Sequence, residues 1–367
     1  MNIGIFGGTF NPPHIGHVQA AKTAARENNI DLLIIIPTGI PPHKSLPDET
    51  PLPELRYEMT RNAFSALDNT IISDMELNST ENNYTIDTVL KIKQEYPDAK
   101  LFLFTGTDMF ESLSEWKDSE KLLQLVKPVL LPRDIIIISS SEIRSMLEMR
   151  SGREFLDEKN YDLIIKHRLY GAKPDFDWLS AKAHLMLTPL RIPHVKACET
   201  EAVRLAKRWG ADPDLAREAA ILHDITKKLD FSQNMCIIAE HGIEIKPLAE
   251  NEEKLLHAIT GALLAKSEFG VSDEVSEAIR WHTTGKEQMS MLEKVIYIAD
   301  YIEATRAFPG VDELRILAYE NINKAMIKGL EMTANDLNGR GIKPDESTLK
   351  ALRELYSEQK TIPAPED

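Results

Sequence analysis

The chain has 367 residues and carries 43 Lys+Arg against 58 Asp+Glu, for a net charge of −15. That length exceeds what one core usually serves, so two domains are expected, and the composition gives no sign of disorder. Both halves are acidic and neither carries a basic stripe, which argues against a nucleic-acid partner; any phosphate handled here is expected to belong to a small molecule.

The opening MNIGIFGG lacks the features of a targeting segment, and the longest apolar runs, LLIII and IIII, are too short to cross a bilayer. A cytoplasmic protein without a membrane partner is expected. Cys198 and Cys236 read as reduced structural thiols in that compartment.

To about residue 170 the pattern alternates. β-rich runs (NIGIF, DLLIIIP, TIISDMEL, KLFLFTG, PVLLP, IIIISS) are separated by segments of helical period, as in a parallel sheet with crossover helices. The spacing of Leu55, Met59 and Ala63 after Pro53 predicts a helix over 53–67. Only Arg133 and Asp134 separate PVLLP from IIIISS, too few for a crossover between parallel neighbours, so the sheet is expected to lose a strand or run straight on there. Gly171 to Asp175 is the natural seam, dividing the chain into 1–172 and 173–367. Beyond it the text is helical, with stops at Gly210, Gly242 and Gly270 and a helix-opening Pro213. The fold class is therefore an α/β doubly wound parallel sheet followed by an all-α domain.

The turn GIFGGTFNPPHIGH, residues 4 to 17, joins the first strand to the first helix. It delivers a helix amino end to the carboxyl edge of the sheet, where free N–H groups and the helix dipole favour phosphate. His14 and His17 can add a hydrogen bond or a charge as negative charge moves on a phosphate. The bland alternative is a tight turn with one buried histidine.

This stretch resembles the GGTFxPPHxGH signature of nucleotidyltransferases. With IPTGIPPHK at 36–44, NYTIDT at 83–88, GTDM at 106–109, Trp116 and ISSSEIR at 138–144, the first domain is similar to nicotinate-nucleotide adenylyltransferases, which join nicotinate mononucleotide to the AMP part of ATP. The resemblance implies a Rossmann-like nucleotidyltransferase fold and Mg²⁺ with the ATP. It implies ATP phosphates on Gly7, Gly8, Thr9 and Phe10, with His14, His17, Ser139, Ser140 and Arg144. His43 and Lys44 would supply further positive donors, and His14, His17, Lys44 and Arg144 would be catalytic. Tyr84, Thr85 and Trp116 would hold the nicotinate ring, and Asp108 would position nucleotide or metal. The chemistry is in-line attack of the mononucleotide phosphate on the α-phosphorus, with no covalent nucleophile. Duller readings exist: ISSSEIR is also a serine-capped helix start, and Trp116 and Tyr84 could be core.

In the helical half the potential ligands read His194, His223, Asp224, His257, His282 and Asp300. AILHD and IYIAD each drop an acidic side chain after an apolar stretch, and buried charge there implies a partner. Four imidazoles and two carboxylates without a thiolate fit iron or manganese better than structural zinc. Asp224 could bridge two ions, one completed by His194, His223 and Asp300, the other by His257 and His282. Such a pair activates a shared water for attack on phosphorus, and Lys227, at i+4 from His223, can hold a phosphate. The alternative is a helical bundle with satisfied core histidines; His167 and His184 are read as structural, and His241, next to a helix-ending glycine, as not a ligand.

These residues resemble the HD superfamily of metal-dependent phosphohydrolases. RIPHV, AAILHDITK, LLHAITGA, IRWHTTG, LEKVIYIADYIE and RAFPGVDELR are similar to the symmetrical diadenosine tetraphosphatases, which cut that dinucleotide into two ADP and favour iron. The likeness implies that Thr283, Thr284, Gly285 and Arg306 line the nucleotide phosphates. Where that branch has proline and asparagine after the glutamate, this chain has Ala304 and Thr305. The combined expectation is a bifunctional enzyme acting on ATP, nicotinate mononucleotide and diadenosine tetraphosphate, with a homodimer left open. The alternative is a nucleotide-binding sensor attached to a general nucleotide phosphohydrolase.

Overall fold

The computed structural model describes residues 1–40, 47, 50–77, 82–131, 138–244 and 252–361. The chain divides into two compact units, Met1–Asp175 and Phe176–Asp367.

The first unit runs β1 (Asn2–Gly8), α1 (Ile15–Glu27), β2 (Leu32–Pro37), α2 (Pro53–Phe64), β3 (Thr70–Ile72), α3 (Thr85–Glu95), β4 (Lys100–Thr105), α4 (Thr107–Glu111), α5 (Ser119–Leu125), β5 (Val126–Leu130), α6 (Ser140–Glu148) and α7 (Glu158–Lys166). The strands pair in parallel in the order β3-β2-β1-β4-β5. Alternation sends side chains to two cores. Ile3, Ile5, Ile34, Ile36, Leu101 and Leu103 pack with Ile86, Val89 and Ile92 of α3. Phe6, Leu33, Ile35, Phe102 and Phe104 pack with Ala20, Ala21, Ala24 and Phe64 of α1 and α2. A sheet covered on both faces explains the near-continuous apolar strands. The order reverses between β1 and β4, the switch point where such sheets keep ligands.

Two expectations shift in detail. The helix expected over 53–67 ends at Phe64 and buries Arg56, Met59, Thr60 and Phe64, while Leu55 is only half-buried. TIISDMEL contributes just three strand residues, since β3 is an edge strand paired over Leu33–Ile35. The Arg133–Asp134 connection and the first half of IIIISS lie outside the described residues; among those described the sheet has five strands, and Ser139 already caps α6.

The second unit is helical: α8 (Phe176–Met186), α9 (Ile192–Trp209), α10 (Pro213–Leu222), α11 (Phe231–Glu240), α12 (Leu256–Phe269), α13 (Asp273–Arg280), α14 (Met291–Ile302), α15 (Val311–Glu320), α16 (Ile322–Gly339) and α17 (Glu346–Thr361). Gly210, Gly242 and Gly270 take positive φ at helix ends as expected, and Asp212 caps α10 ahead of Pro213. Cys198 is buried, Cys236 is exposed, and both are free thiols. Among the described residues no helix is long and apolar enough to cross a membrane.

Candidate functional sites

In the first unit the glycine turn is pinned from several sides. Arg56 Nη1 donates to Thr9 O (3.2 Å) and Thr38 O (2.7 Å), and Arg144 Nη1 donates to Asn11 O (2.7 Å). Ser140 Oγ donates to Pro12 O (2.9 Å) and Tyr170 Oη to Asn11 Oδ1 (2.7 Å). Phe10, at φ 44°, buries its ring edge-on against Phe6, His17 and Phe64. Arg56 and Tyr170 carry no motif of their own; a charged residue inside a helix that buries its neighbours was the available signal for Arg56.

His14 caps α1. Its Nδ1 accepts from Gly16 N–H (3.2 Å), and its own N–H donates to His17 Nδ1 (3.3 Å), a capping box built from two imidazoles. Because both Nδ1 atoms accept, the neutral rings carry their protons on Nε2 and can donate from there. Burial pushes His14 down to about 4, and burial with the neighbouring His14 holds His17 well below the ordinary imidazole value.

Two cavities meet at this turn. One, of about 710 Å³, is lined by Gly7, Gly8, Thr9, Phe10, His14, His17, Asp108, Ser139, Ser140 and Arg144. The other, of about 440 Å³, is lined by Glu76, Asn83, Tyr84, Thr85, Trp116 and Lys117, and shares Gly7, Gly8, Thr9, Gly106 and Met109 with the first. The expected phosphate residues and the expected ring-holding residues therefore sort into adjoining chambers. Gly7 has nothing within 4 Å of a built Cβ, whereas at Gly8 a Cβ would meet the Phe10 ring at 3.0 Å.

Ser139 uses its hydroxyl to cap α6 with Glu142, so it is both helix cap and cavity wall. Tyr84 and Trp116 are half-buried against the core and still line the second chamber. His43 and Lys44 lie outside the described residues. Sequence reasoning missed Lys117, whose Nζ sits 4.3 Å from the Tyr84 ring centroid and 3.3 Å from Asp87 Oδ2. It also missed Glu76, a buried carboxylate raised by burial, which accepts from Thr88 Oγ1 at 2.6 Å.

The depressed imidazoles make the first unit acid-sensitive. Unfolded histidine takes its proton near pH 6.5 and folded His14 only near 4, so the stabilisation from holding it neutral is complete above pH 6.5. It is lost as pH falls through that window, by at most about 1.4 kcal/mol per pH unit for each group. Urea midpoints of wild type and His14→Asn, compared from pH 7.5 to 4.5, should start close together with wild type modestly ahead, and the wild-type midpoint should fall relative to the variant's as pH drops.

In the second unit the six expected ligands come together. His194 sits on α9, His223 and Asp224 follow α10, His257 opens α12, His282 follows α13 and Asp300 lies on α14. They form three overlapping groups that could hold a metal ion: His194–His223–Asp224, His223–His282–Asp300 and Asp224–His257–His282. Asp224 is fully buried. Its Oδ2 lies 3.3 Å from His223 Nε2 and 3.8 Å from His194 Nε2, while Oδ1 lies 3.3 Å from His257 Nε2 and 3.7 Å from His282 Nε2. One carboxylate thus faces two pairs of imidazoles, one with each oxygen.

The outer ring nitrogens are tied. Nδ1 of His223, His257 and His282 contacts Ala220 O (2.7 Å), Lys254 O (2.6 Å) and Ile279 O (2.7 Å), and Nδ1 of His194 contacts Glu303 Oε1 (3.0 Å). These acceptors require N–H on Nδ1, which leaves each neutral ring a lone pair on Nε2. Yet the Nε2 atoms approach one another at 3.3 Å (His194–His223) and 3.2 Å (His257–His282), and Oδ1 of Asp224 is buried without a hydrogen-bond partner. Facing lone pairs around an orphaned carboxylate oxygen are what a cation site requires, so the residues fit a pair of divalent ions.

Burial alone would raise Asp224 and Asp300, but in their protonated form the surrounding imidazoles, joined at Asp300 by Arg306, hold both well below the carboxylate range. Lys227 Nζ lies 3.8 Å from Asp224 Oδ1 and 2.8 Å from His257 Nε2, and burial pushes it down. Arg306 Nη2 lies 2.5 Å from Asp300 Oδ1. Arg191, which heads RIPHV but drew no role, donates from Nε to Asp224 Oδ2 at 2.5 Å. Gly285 takes φ +64° beside Leu330 and Met289; Thr284 is buried and spends its hydroxyl on Gly285 O, and Thr283 is half-buried.

A Cytidylyltransferase-like family model matches residues 5–146 and an HD domain model matches residues 191–305. The chain is 34% identical over 187 residues to a protein of Listeria monocytogenes named "Probable nicotinate-nucleotide adenylyltransferase", covering 47% of this chain and 98% of the relative. It is 46% identical over 148 residues to the "Bis(5'-nucleosyl)-tetraphosphatase, symmetrical" of Bacillus subtilis, covering 40% of this chain and 79% of the relative. The chain belongs to both families, one per unit. A Mycoplasma genitalium protein named "Probable nicotinate-nucleotide adenylyltransferase/Ap4A hydrolase" is 28% identical over 352 residues, covering 90% of this chain and 97% of that one. The Cytidylyltransferase-like match thus falls on the unit with the imidazole-capped turn, and the HD match on the one with the six converging ligands.

Proposed function

We propose that the chain is a bifunctional enzyme, transferring the adenylyl group of ATP to nicotinate mononucleotide and hydrolysing diadenosine tetraphosphate symmetrically to two ADP. The observation that carries the first activity is the pair of chambers meeting at Gly7–Thr9. ATP takes the larger, with its phosphates toward His14, His17 and Arg144, and the mononucleotide takes the smaller, against Tyr84, Thr85 and Trp116. The mononucleotide phosphate then meets the α-phosphorus at the shared turn, where the Nε2–H donors of the two histidines stabilise charge on the phosphate oxygens. Mg²⁺ with the ATP would share that neutralisation.

The second activity rests on the lone pairs gathered about Asp224. His194, His223 and Asp300 would hold one ion, His257 and His282 the other, with Asp224 between them; the all-N/O donor set suits iron, with manganese as the alternative. Bound, the pair supplies Lewis acidity and a water of lowered pKa. The chain's own part is to orient those imidazoles and to present Lys227, Arg191 and Arg306 to polyphosphate oxygens. Free, unpaired cysteines accord with a cytoplasmic setting, and small nucleotides rather than nucleic acid are the partners.

A product assay tests this reading: ATP with nicotinate mononucleotide should give the dinucleotide and pyrophosphate, and diadenosine tetraphosphate should give ADP alone. ATP binding without pyrophosphate release would make the first unit a sensor, and AMP or phosphate among the products would make the second a general phosphohydrolase. Trp116→Ala should raise KM for nicotinate mononucleotide about three- to tenfold, the worth of roughly 0.5–1.5 kcal/mol of ring stacking, with KM for ATP unchanged in steady-state kinetics.

A further inference from the structure

The four converging imidazoles are not held alike. His223, His257 and His282 give their outer N–H to main-chain carbonyls, whereas His194 alone gives it to a carboxylate, Glu303. Glu303 is fully buried. It is fixed by Thr305, whose N–H donates to Oε2 at 2.6 Å and whose hydroxyl donates to Oε1 at 2.6 Å. An ionised acceptor orients an imidazole and raises its electron donation more than a neutral carbonyl does. The substitution at position 305 thus retains a side chain that clamps the glutamate.

Ligand sets add to the inequality. His194 and His223 stand around Oδ2 of Asp224, where Arg191 also donates, and Asp300 Oδ1 lies 3.0 Å from His194 Nε2 and accepts from Arg306. Around Oδ1 stand His257 and His282, with Lys227 Nζ 2.8 Å from His257 Nε2; basic side chains therefore adjoin both positions, and what sets them apart is the Asp300 carboxylate and the Glu303 contact to His194. We propose that Glu303, clamped by Thr305, is a positioning residue that makes the His194–His223–Asp300 position the tighter of two unequal metal positions, so that it fills first. This inference rests on the dimetal reading above and adds an order of loading to it.

The test is a Mn²⁺ titration of the metal-free whole protein, following free Mn²⁺ by electron paramagnetic resonance and bound metal by elemental analysis. Wild type should show two unequal classes of site. Glu303→Gln should weaken the tighter class about ten- to a hundredfold and leave the weaker one unmoved. Thr305→Val should act in the same direction with smaller effect, and Thr305→Ser should restore wild-type binding. His257→Gln should remove the weaker class and keep the tighter. Should Glu303→Gln not fold, Thr305→Val against Thr305→Ser decides the question alone. Two equal classes in wild type, an unmoved tight class in Glu303→Gln, or loss of the tight class in His257→Gln overturns the proposal while leaving the dimetal reading standing. Wild type that binds no Mn²⁺ overturns both.

Discussion

Asp224→Asn should lower symmetrical hydrolysis of diadenosine tetraphosphate by more than about a thousandfold, roughly 4 kcal/mol of barrier, and leave adenylyl transfer at its wild-type rate. Both oxygens of this buried carboxylate face imidazoles, so replacing one oxygen by NH₂ aims a donor at the lone pairs of either His194 and His223 or His257 and His282. One ion position is thereby spoiled whichever way the amide turns. Side-by-side assays of the two activities, with metal content by elemental analysis, check the result. Retained hydrolysis with two bound metals would refute the bridging role.

The second large effect belongs to His14. His14→Asn should lower the rate of adenylyl transfer about 10²–10³-fold, the usual loss for one donor aimed at developing charge. Asparagine is a good helix cap, so melting at pH 7 should show only a modest loss. His14→Ala should lose the same rate and also about 1 kcal/mol of stability, because Gly16 N–H then has no side-chain acceptor. Hydrolysis by the second unit should be unaffected in both. If the asparagine variant turned over at the wild-type rate, His14 would be a cap and nothing more.

Much of this was readable beforehand because motifs concentrate where backbone and chemistry constrain each other. GGTFNPPHIGH could be placed at a strand-to-helix turn, and the six ligands of the second unit could be named, since an acidic residue inside AILHD or IYIAD has no reason to be buried without a partner. What the letters did not carry was the state of each ring. His14 and His17 accept on Nδ1 and so donate from Nε2, toward an anion; His194, His223, His257 and His282 donate on Nδ1 and so present a lone pair, toward a cation. That difference is set by the neighbouring backbone and by Glu303, contacts made by tertiary structure. Arg56, Arg191 and Lys117 escaped for a related reason: an isolated basic residue looks the same in sequence whether it lies on a surface or under a turn.

The six proposed metal ligands of the second unit come from five separate helices or the turns that follow them. Ions seated among them would act as mortar between α9, α10, α12, α13 and α14, and their binding energy would be added to that of folding. Chelation should therefore lower the melting temperature of the hydrolytic half while the transferase half melts where it did before. A cell short of that metal would then lose its dinucleotide-clearing capacity twice over, first as turnover and then as protein, with cofactor synthesis spared.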